Sequence, residues 1–184
     1  SGPRRISVGA ARDHFLGLDA VSGRGEIFKS GGIVVKNVTG YDLPKLIAGS
    51  WGTHAAITEV TVKVLPAPED SITLLIMGLN SIEACQVMSR AASTPYSTTG
   101  LAYLTPSAAS RSKIHKVSSA GTSVTSIRLE GPTVSLNYEA IELRKIYHEK
   151  EIVEIQSSDS VNYWKEVGEC SLLGNPEALW RLSV

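Results

Sequence analysis

Cysteine is scarce in this 184-residue chain: Cys85 and Cys170 stand far apart and outside any C-x-x-C pair. That removes a zinc ribbon or a dithiol redox motif. Each falls in a helix candidate, so two buried free thiols in a reducing cytosol are expected. Histidine is nearly as sparse, and His14, His54, His115 and His148 show no H-x-x-x-H spacing. No metal centre is indicated, and an ordinary structural or surface role is expected for each. Neither sign of charge is in surplus, with Lys+Arg 18 against Asp+Glu 18. No basic stripe interleaves with aromatics, which argues against nucleic acid as a partner. No apolar run approaches the roughly 20 residues of a membrane helix, and the N-terminus has no signal-peptide core. A soluble, cytoplasmic protein is expected, in which Asn37-Val38-Thr39 matches the glycosylation pattern by accident. Catalytic signatures are missing too: Ser50 is not in G-x-S-x-G, no Walker lysine follows its loop, and G-x-G-x-x-G does not occur. No internal repeat is present.

What is present divides at Pro66-Ala67-Pro68. Ten of the 16 glycines precede this break and most of the helix candidates follow it, which implies two regions of different architecture. A chain of this length buries roughly two thirds of its unfolded surface, enough for one domain or two small ones. Before the break, HFLGLDAVSG and GEIFKSGG read as two strands joined by a Gly23–Gly25 turn. DLPKLIAG supports two helical turns, with Asp42 as N-cap, Pro44 in the first turn and Gly49 as terminator. ITEVTVKVL alternates, placing Val60, Val62 and Val64 on one face of a half-buried strand.

After the break, strands and helices alternate. SITLLIM precedes the helix SIEACQVMSRAA, with Ser81 as cap and Ile82, Cys85 and Met88 or Ala92 inward. GLAYL and SVTSIRLE are strands flanking a serine-rich stretch, Thr105 to Ser123, expected to be partly mobile. GPTVSLNYEAIELRKIYHEK is the clearest helix, with Leu136, Ala140, Leu143 and Tyr147 on one side. EIVEIQ reads as a strand. SDSVNYWKEVGE is a helix capped by Ser158 or Asp159 with Val161, Trp164 and Val167 inward, and ALWRLSV a final strand. The order predicts an α+β fold, helices on one face of a mainly antiparallel sheet.

Gly49-Ser50-Trp51-Gly52-Thr53 is the stretch with most chemical content, and its spacing admits two readings. One is a tight connection, with Gly49 in the left-handed helix cap and Gly52 in a turn. The other is an anion cradle, in which N–H groups and the Ser50 and Thr53 hydroxyls face a phosphate or a flavin's polar edge. In that case SGPRRISVG could close the opposite side, with Arg4 or Arg5 supplying charge.

The run ending at Pro68, GGIVVKNVTGYDLPKLIAGSWGTHAAITEVTVKVLPAP, resembles the distal half of the FAD-binding domain in flavoproteins of the vanillyl-alcohol-oxidase (PCMH) type. Those carry a K-N/D-x-x-G-Y-D-L-x-K-L block, then G-S-x-G-T-L and an I-T-E strand; His54 stands where they usually have Leu. Within that family the likeness is closer to glycolate oxidase, and there to the FAD-binding chain that accompanies the catalytic one. SGPRRISVGAARDHFLG, RLEGPTVSLNYEAIELR and LWRLSV resemble further blocks of it, so the likeness spreads over nearly the whole chain.

The resemblance implies residues 1–66 as the C-terminal part of a PCMH-type FAD-binding domain. Residues 67–184 would be a cap-like α+β domain with a ferredoxin-like antiparallel sheet. It puts Ser1, Gly2 and Gly9 around the flavin's pyrophosphate and ribityl region. Lys36, Asn37, Gly40, Tyr41 and Asp42 would shape the pocket, and Gly49, Ser50, Gly52 and Thr53, with the backbone at Ile57, would run along the cofactor. The family's FAD domain begins with another lobe bearing its own glycine-rich loop, and this chain starts after it. As a fragment it would hold FAD poorly, since losing about four hydrogen bonds at roughly 1 kcal/mol each weakens binding about a thousandfold.

The implied function is support of glycolate oxidation to glyoxylate by flavin-mediated electron transfer. The implied partners are a sister FAD-containing catalytic subunit, an iron-sulfur subunit and, through the complex, a small 2-hydroxy acid. Attachment to the inner membrane would be peripheral and through the complex. The catalytic subunit's His/Gly/Asp-rich block has no counterpart here, so no catalytic residue is expected in this chain. The alternatives are an assembly module that does not hold FAD, or a subunit of another FAD-linked 2-hydroxy-acid oxidoreductase.

Overall fold

The computed structural model describes residues 2–36 and 40–180. In chain order the elements are α1 (Arg5–Val8), α2 (Ala11–His14), β1 (Phe15–Ser22), β2 (Ile27–Gly31), α3 (Leu43–Ile47), β3 (Ala55–Val62) and β4 (Asp70–Met77). There follow α4 (Ser81–Ala92), β5 (Thr98–Leu104), α5 (Pro106–Ala109), α6 (His115–Ser118), β6 (Val124–Gly131), α7 (Thr133–Ile146), β7 (Ile152–Gln156), α8 (Ser157–Gly168) and a 3-10 turn (Ser171–Leu173). Two compact units result, one over Val8–Ala67, the other combining Gly2–Ser7 with the chain from Pro68 onward.

The first unit is a three-stranded antiparallel sheet in the order β2-β1-β3. The β1–β2 hairpin is closed by the Gly25 amide on the Ser22 carbonyl at 2.9 Å. The Ser22 hydroxyl accepts from the Arg24 and Glu26 amides. Leu18 and Ala20 point to one side, as the period of two requires, and pack with Phe15, Ile47 and Ala55. β3 departs from the expected half-buried strand. Only Ala55 is buried along it, and Val60 and Val62 are 52% and 51% exposed. The alternation does not become burial, because within this unit no layer lies over either valine.

The second unit is a four-stranded antiparallel sheet in the order β5-β6-β4-β7. With α4 and α7 as crossovers, this is the ferredoxin-like arrangement, and the α+β class holds. Those crossovers pack on one face, where Ala84, Ala91, Leu136, Ala140, Leu143 and Tyr147 meet Ile72, Leu74, Ile76, Ile127 and Leu129. The opposite face is also covered, by α5, α6 and α8 with the 3-10 turn. Helices therefore lie on both faces rather than one. The central strands β4 and β6 are buried on both sides, with Ser71, Thr73, Ser126 and Arg128 enclosed beside their apolar residues.

Other expectations change for local reasons. Asn80, not Ser81, caps α4. Its side chain accepts from the amides of Ile82 and Glu83, and Glu83 returns a bond to the Asn80 amide. The inward stripe is Ala84, Val87, Met88 and Ala91, which keeps the expected Met88 but leaves Ile82 71% exposed. Cys85 and Cys170 are exposed free thiols, not buried ones. The serine-rich stretch is held in place: α5 and α6 bury Ala108, Ala109, Ile114 and Val117, and Glu166 accepts from the Ser112 hydroxyl and the Lys113 amide. α8 starts at Ser157 directly after β7 and turns in Tyr163 and Trp164, while Val161 is exposed. Residues 178–180 form no strand, and the rest of the expected last strand lies outside the described residues.

Candidate functional site

In the first unit, α3 carries the geometry of interest. Asp42 accepts from the Lys45 amide at 3.2 Å, fixing the first turn, and Pro44 supplies a pre-set φ there. Lys45 reaches back to α2 and β1, its Nζ donating to the carbonyls of Arg12 and Phe15. Gly31 lies opposite with φ +76°, where a Cβ would stand 2.1 Å from the Leu16 carbonyl oxygen and 2.9 Å from Pro44 Cγ. Only glycine permits this approach. Between these groups is a pocket of about 70 Å³ whose lining includes Gly40, Tyr41 and Asp42 together with Phe15, Gly31 and Lys45.

The loop after α3 reverses the chain with three left-handed residues, Gly49 at φ +88°, Trp51 at +56° and Gly52 at +77°. The Ser50 amide donates to the Ile47 carbonyl at 2.9 Å and the Thr53 amide to the Ser50 carbonyl at 3.1 Å. The Thr53 hydroxyl joins that carbonyl at 2.6 Å. The amides of Gly49, Trp51 and Gly52 have no protein acceptor among the described residues. A Cβ at Gly49 or Gly52 would meet nothing within 4 Å. These glycines thus answer a conformational demand, and the space beside them is open. Two of the five amides serve the turn, and three remain as neutral donors of the kind that binds a diphosphate oxygen.

The expected site residues are distributed unevenly. Gly40, Tyr41 and Asp42 share the α3 pocket. Gly49, Ser50, Gly52 and Thr53 share the loop, and Ile57 lies in β3 opposite Ala20. Lys36 is exposed and outside the pocket lining. Gly9 has φ +79° and packs on Asp13, whose carboxylate accepts from the Ala10 amide at 2.7 Å. Gly2 belongs to the second unit. Ser1 and Asn37 lie outside the described residues, as does the glycosylation match.

Two suggested contributions are spent elsewhere. Arg4 pairs with Glu130 at 2.5 Å, and the Thr53 hydroxyl faces the main chain. Sequence reasoning missed Lys45 and Gly31. Lys45 follows the Asp42 cap by three residues, the spacing that turns it back over α2, but its carbonyl partners are 30 and 33 residues away and leave no local signal. His14 is likewise a structural group, with ring nitrogens 2.8 Å from the Val8 carbonyl and 3.0 Å from that of Lys63. Among the described residues no group of three His, Cys, Asp or Glu could hold a metal, and no helix is long and apolar enough to cross a membrane.

No family profile matches the chain. Curated relatives do. Glycolate oxidase subunit GlcD of Bacillus subtilis is 42% identical over 88 residues, which is 48% of this chain and 19% of that protein. Glycolate oxidase subunit GlcE of Escherichia coli is 46% identical over 74 residues, 40% of this chain and 21% of that protein. D-lactate dehydrogenase of Anaerostipes hadrus is 44% identical over 75 residues, 41% of this chain and 16% of that protein. An FAD-linked oxidoreductase of Mycobacterium tuberculosis is 47% identical over 74 residues, covering 40% of this chain and 16% of that protein. The chain therefore spans about a fifth of the length of the curated relatives it matches. The sequence likeness is more confined than the distributed blocks implied. The fold likeness is wider: a solved alkyldihydroxyacetonephosphate synthase superposes over 94% of this chain and 34% of its own, with TM-score 0.66 at 17% identity. Over the part that aligns, the chain is similar to glycolate oxidase subunits, an FAD-linked oxidoreductase and a D-lactate dehydrogenase, and its fold is that of the matching part of the alkyldihydroxyacetonephosphate synthase.

Proposed function

We propose that the chain contributes part of an FAD site to an oxidoreductase acting on a 2-hydroxy acid, glycolate being the leading candidate. The observation that carries this is the loop at residues 49–53, whose open side presents the Gly49, Trp51 and Gly52 amides without an acceptor among the described residues. The names of the aligned relatives supply the chemistry those donors suit. In this reading the three amides and the Ser50 hydroxyl bind phosphate oxygens. The α3 pocket with Gly40, Tyr41 and Asp42 bounds the same site, helped by Lys36, Ile57 and Gly9. Residues 1–66 form the cofactor region and 67–184 the cap-like region. FAD supplies hydride and electron transfer when bound, and the chain binds and orients it. No residue here is assigned as a catalytic base.

Partner subunits follow from the same relatives, two of which are named as subunits. We place the chain in a complex with a second flavin subunit and an iron-sulfur subunit. GlcD and GlcE match at similar identity, so the reading does not depend on which of the two this chain represents. Equilibrium dialysis against FAD tests the site, with binding expected in the high micromolar range or weaker. A Gly52→Val variant is expected to lose at least tenfold, because a β-branched residue resists a left-handed φ. Unchanged affinity in that variant would remove the loop from the site. Oxidation of glycolate, compared with D-lactate and D-2-hydroxyglutarate by the reconstituted complex, tests the substrate.

A further inference from the structure

Trp51 has no structural explanation within its unit. Its side chain is 98% exposed, and among the described tryptophans and tyrosines none is more so. Its main chain is left-handed at φ +56°, a conformation that costs a non-glycine residue on the order of 1 kcal/mol. Left-handed glycine stands on either side, at 49 and 52, and the Ser50–Thr53 turn bonds hold the segment between them. The turn therefore spends conformational energy to hold a large aromatic ring away from the protein. Strain of this kind, with no packing to offset it, points outward to a ligand.

The surroundings narrow the ligand's chemistry. The Trp51 amide and those of Gly49 and Gly52 are donors without an acceptor among the described residues, so donors suited to an anion lie close in the chain to an indole face. Phosphate beside a planar ring is the chemistry of a nucleotide: amides take the phosphate and an aromatic side chain takes the ring. Resting on the FAD-site reading above, we propose that Trp51 is a stacking contact for a planar ring of the bound dinucleotide. Its indole adds affinity that the loop's hydrogen bonds do not provide.

The test measures Kd for FAD by equilibrium dialysis, up to millimolar ligand, on the whole 184-residue chain and on Trp51→Ala and Trp51→Phe. Because the ring touches nothing in the core, both variants are expected to keep the wild-type far-UV spectrum. Trp51→Ala is expected to weaken FAD binding about tenfold, the usual scale for one lost stacking partner. Trp51→Phe, which keeps a ring on the same backbone, is expected to restore most of that loss. The same titration with FMN and with ADP separates the flavin ring from the adenine, since only the ligand carrying the stacked ring should respond to Trp51→Ala. Wild-type FAD affinity in Trp51→Ala overturns the stacking contact while leaving the FAD-site reading intact. So does equal loss in the Ala and Phe variants, which would trace the effect to the loop backbone. Absence of FAD binding by the wild-type chain overturns both.

Discussion

Thr125 is the one described side chain with a buried polar atom that lacks a hydrogen-bond partner. It sits in β6 between Ile76 and Tyr103 with its Oγ1 shut off from water. A buried, unpaired hydroxyl carries its desolvation cost without return, and valine has nearly the same shape. Thr125→Val is therefore expected to stabilise the protein by about 1 kcal/mol, read as a higher urea midpoint at unchanged slope. Gly31 predicts the reverse. A methyl group there would enter the Leu16 carbonyl oxygen at 2.1 Å and meet a left-handed φ, so Gly31→Ala should cost more than about 2 kcal/mol. Neither effect was legible in the sequence, where Thr125 reads as an ordinary strand residue and Gly31 as the end of another strand. Each depends on a neighbour brought in by pairing with a distant strand.

At the level of elements, sequence periodicity located nearly every strand and the three long helices, because burial of one side imposes a regular spacing whatever the partner is. It was least informative where both sides are buried or neither is. α4 shows the limit: Ile82 and Cys85 face solvent, while the small Ala84 and Ala91 face the sheet with Val87 and Met88 beside them. The short helices α5 and α6 were hidden because four-residue helices show no period, and their burial depends on Glu166 in α8.

α8 covers the sheet through polar groups as well as apolar ones. Ser160 bonds both Ser71 and Thr73 at 2.7 Å, and the Trp164 indole donates to Thr73. Arg128 lies 4.6 Å over the Trp164 ring, and a Cβ at Gly100 would crowd both at 3.1 Å. Burial holds the Arg128 guanidinium down at about 10, and pushes the Tyr163 phenol well above its ordinary value despite its bond to Ser126. The signs oppose each other. A raised phenol contributes stability below about pH 10 that is lost as pH climbs and the unfolded tyrosine ionises. A lowered guanidinium gives some stability back between about pH 10 and its unfolded value near 12.5. Tyr163→Phe should cost about 1 kcal/mol at pH 7 through the lost Ser126 bond, yet show a smaller fall in Tm between about pH 9 and 11 than wild type. Parallel falls in the two proteins would mean that Tyr163 contributes nothing to alkaline unfolding.

For the molecule as a whole, the two units bury very different amounts of apolar surface. The described core of the first comprises five residues, Phe15, Leu18, Ala20, Ile47 and Ala55. The second has clusters on both faces of its sheet, with leucine, isoleucine and aromatic side chains fully enclosed. Apolar burial dominates folding free energy, so local stability should follow this inequality. Amides of β1 and β3 are expected to exchange with deuterium well ahead of those in β4 and β6, and a urea titration should lose the first unit before the second. Bound FAD would change that order selectively. A ligand held by the first unit at about a hundred times its Kd stabilises it by about 2.7 kcal/mol, roughly a hundredfold slower exchange in β1 and β3 with β4 and β6 unaltered. Equal protection across both units without ligand would contradict the inequality. Protection that FAD raises in β4 and β6 alone would move the cofactor site to the second unit.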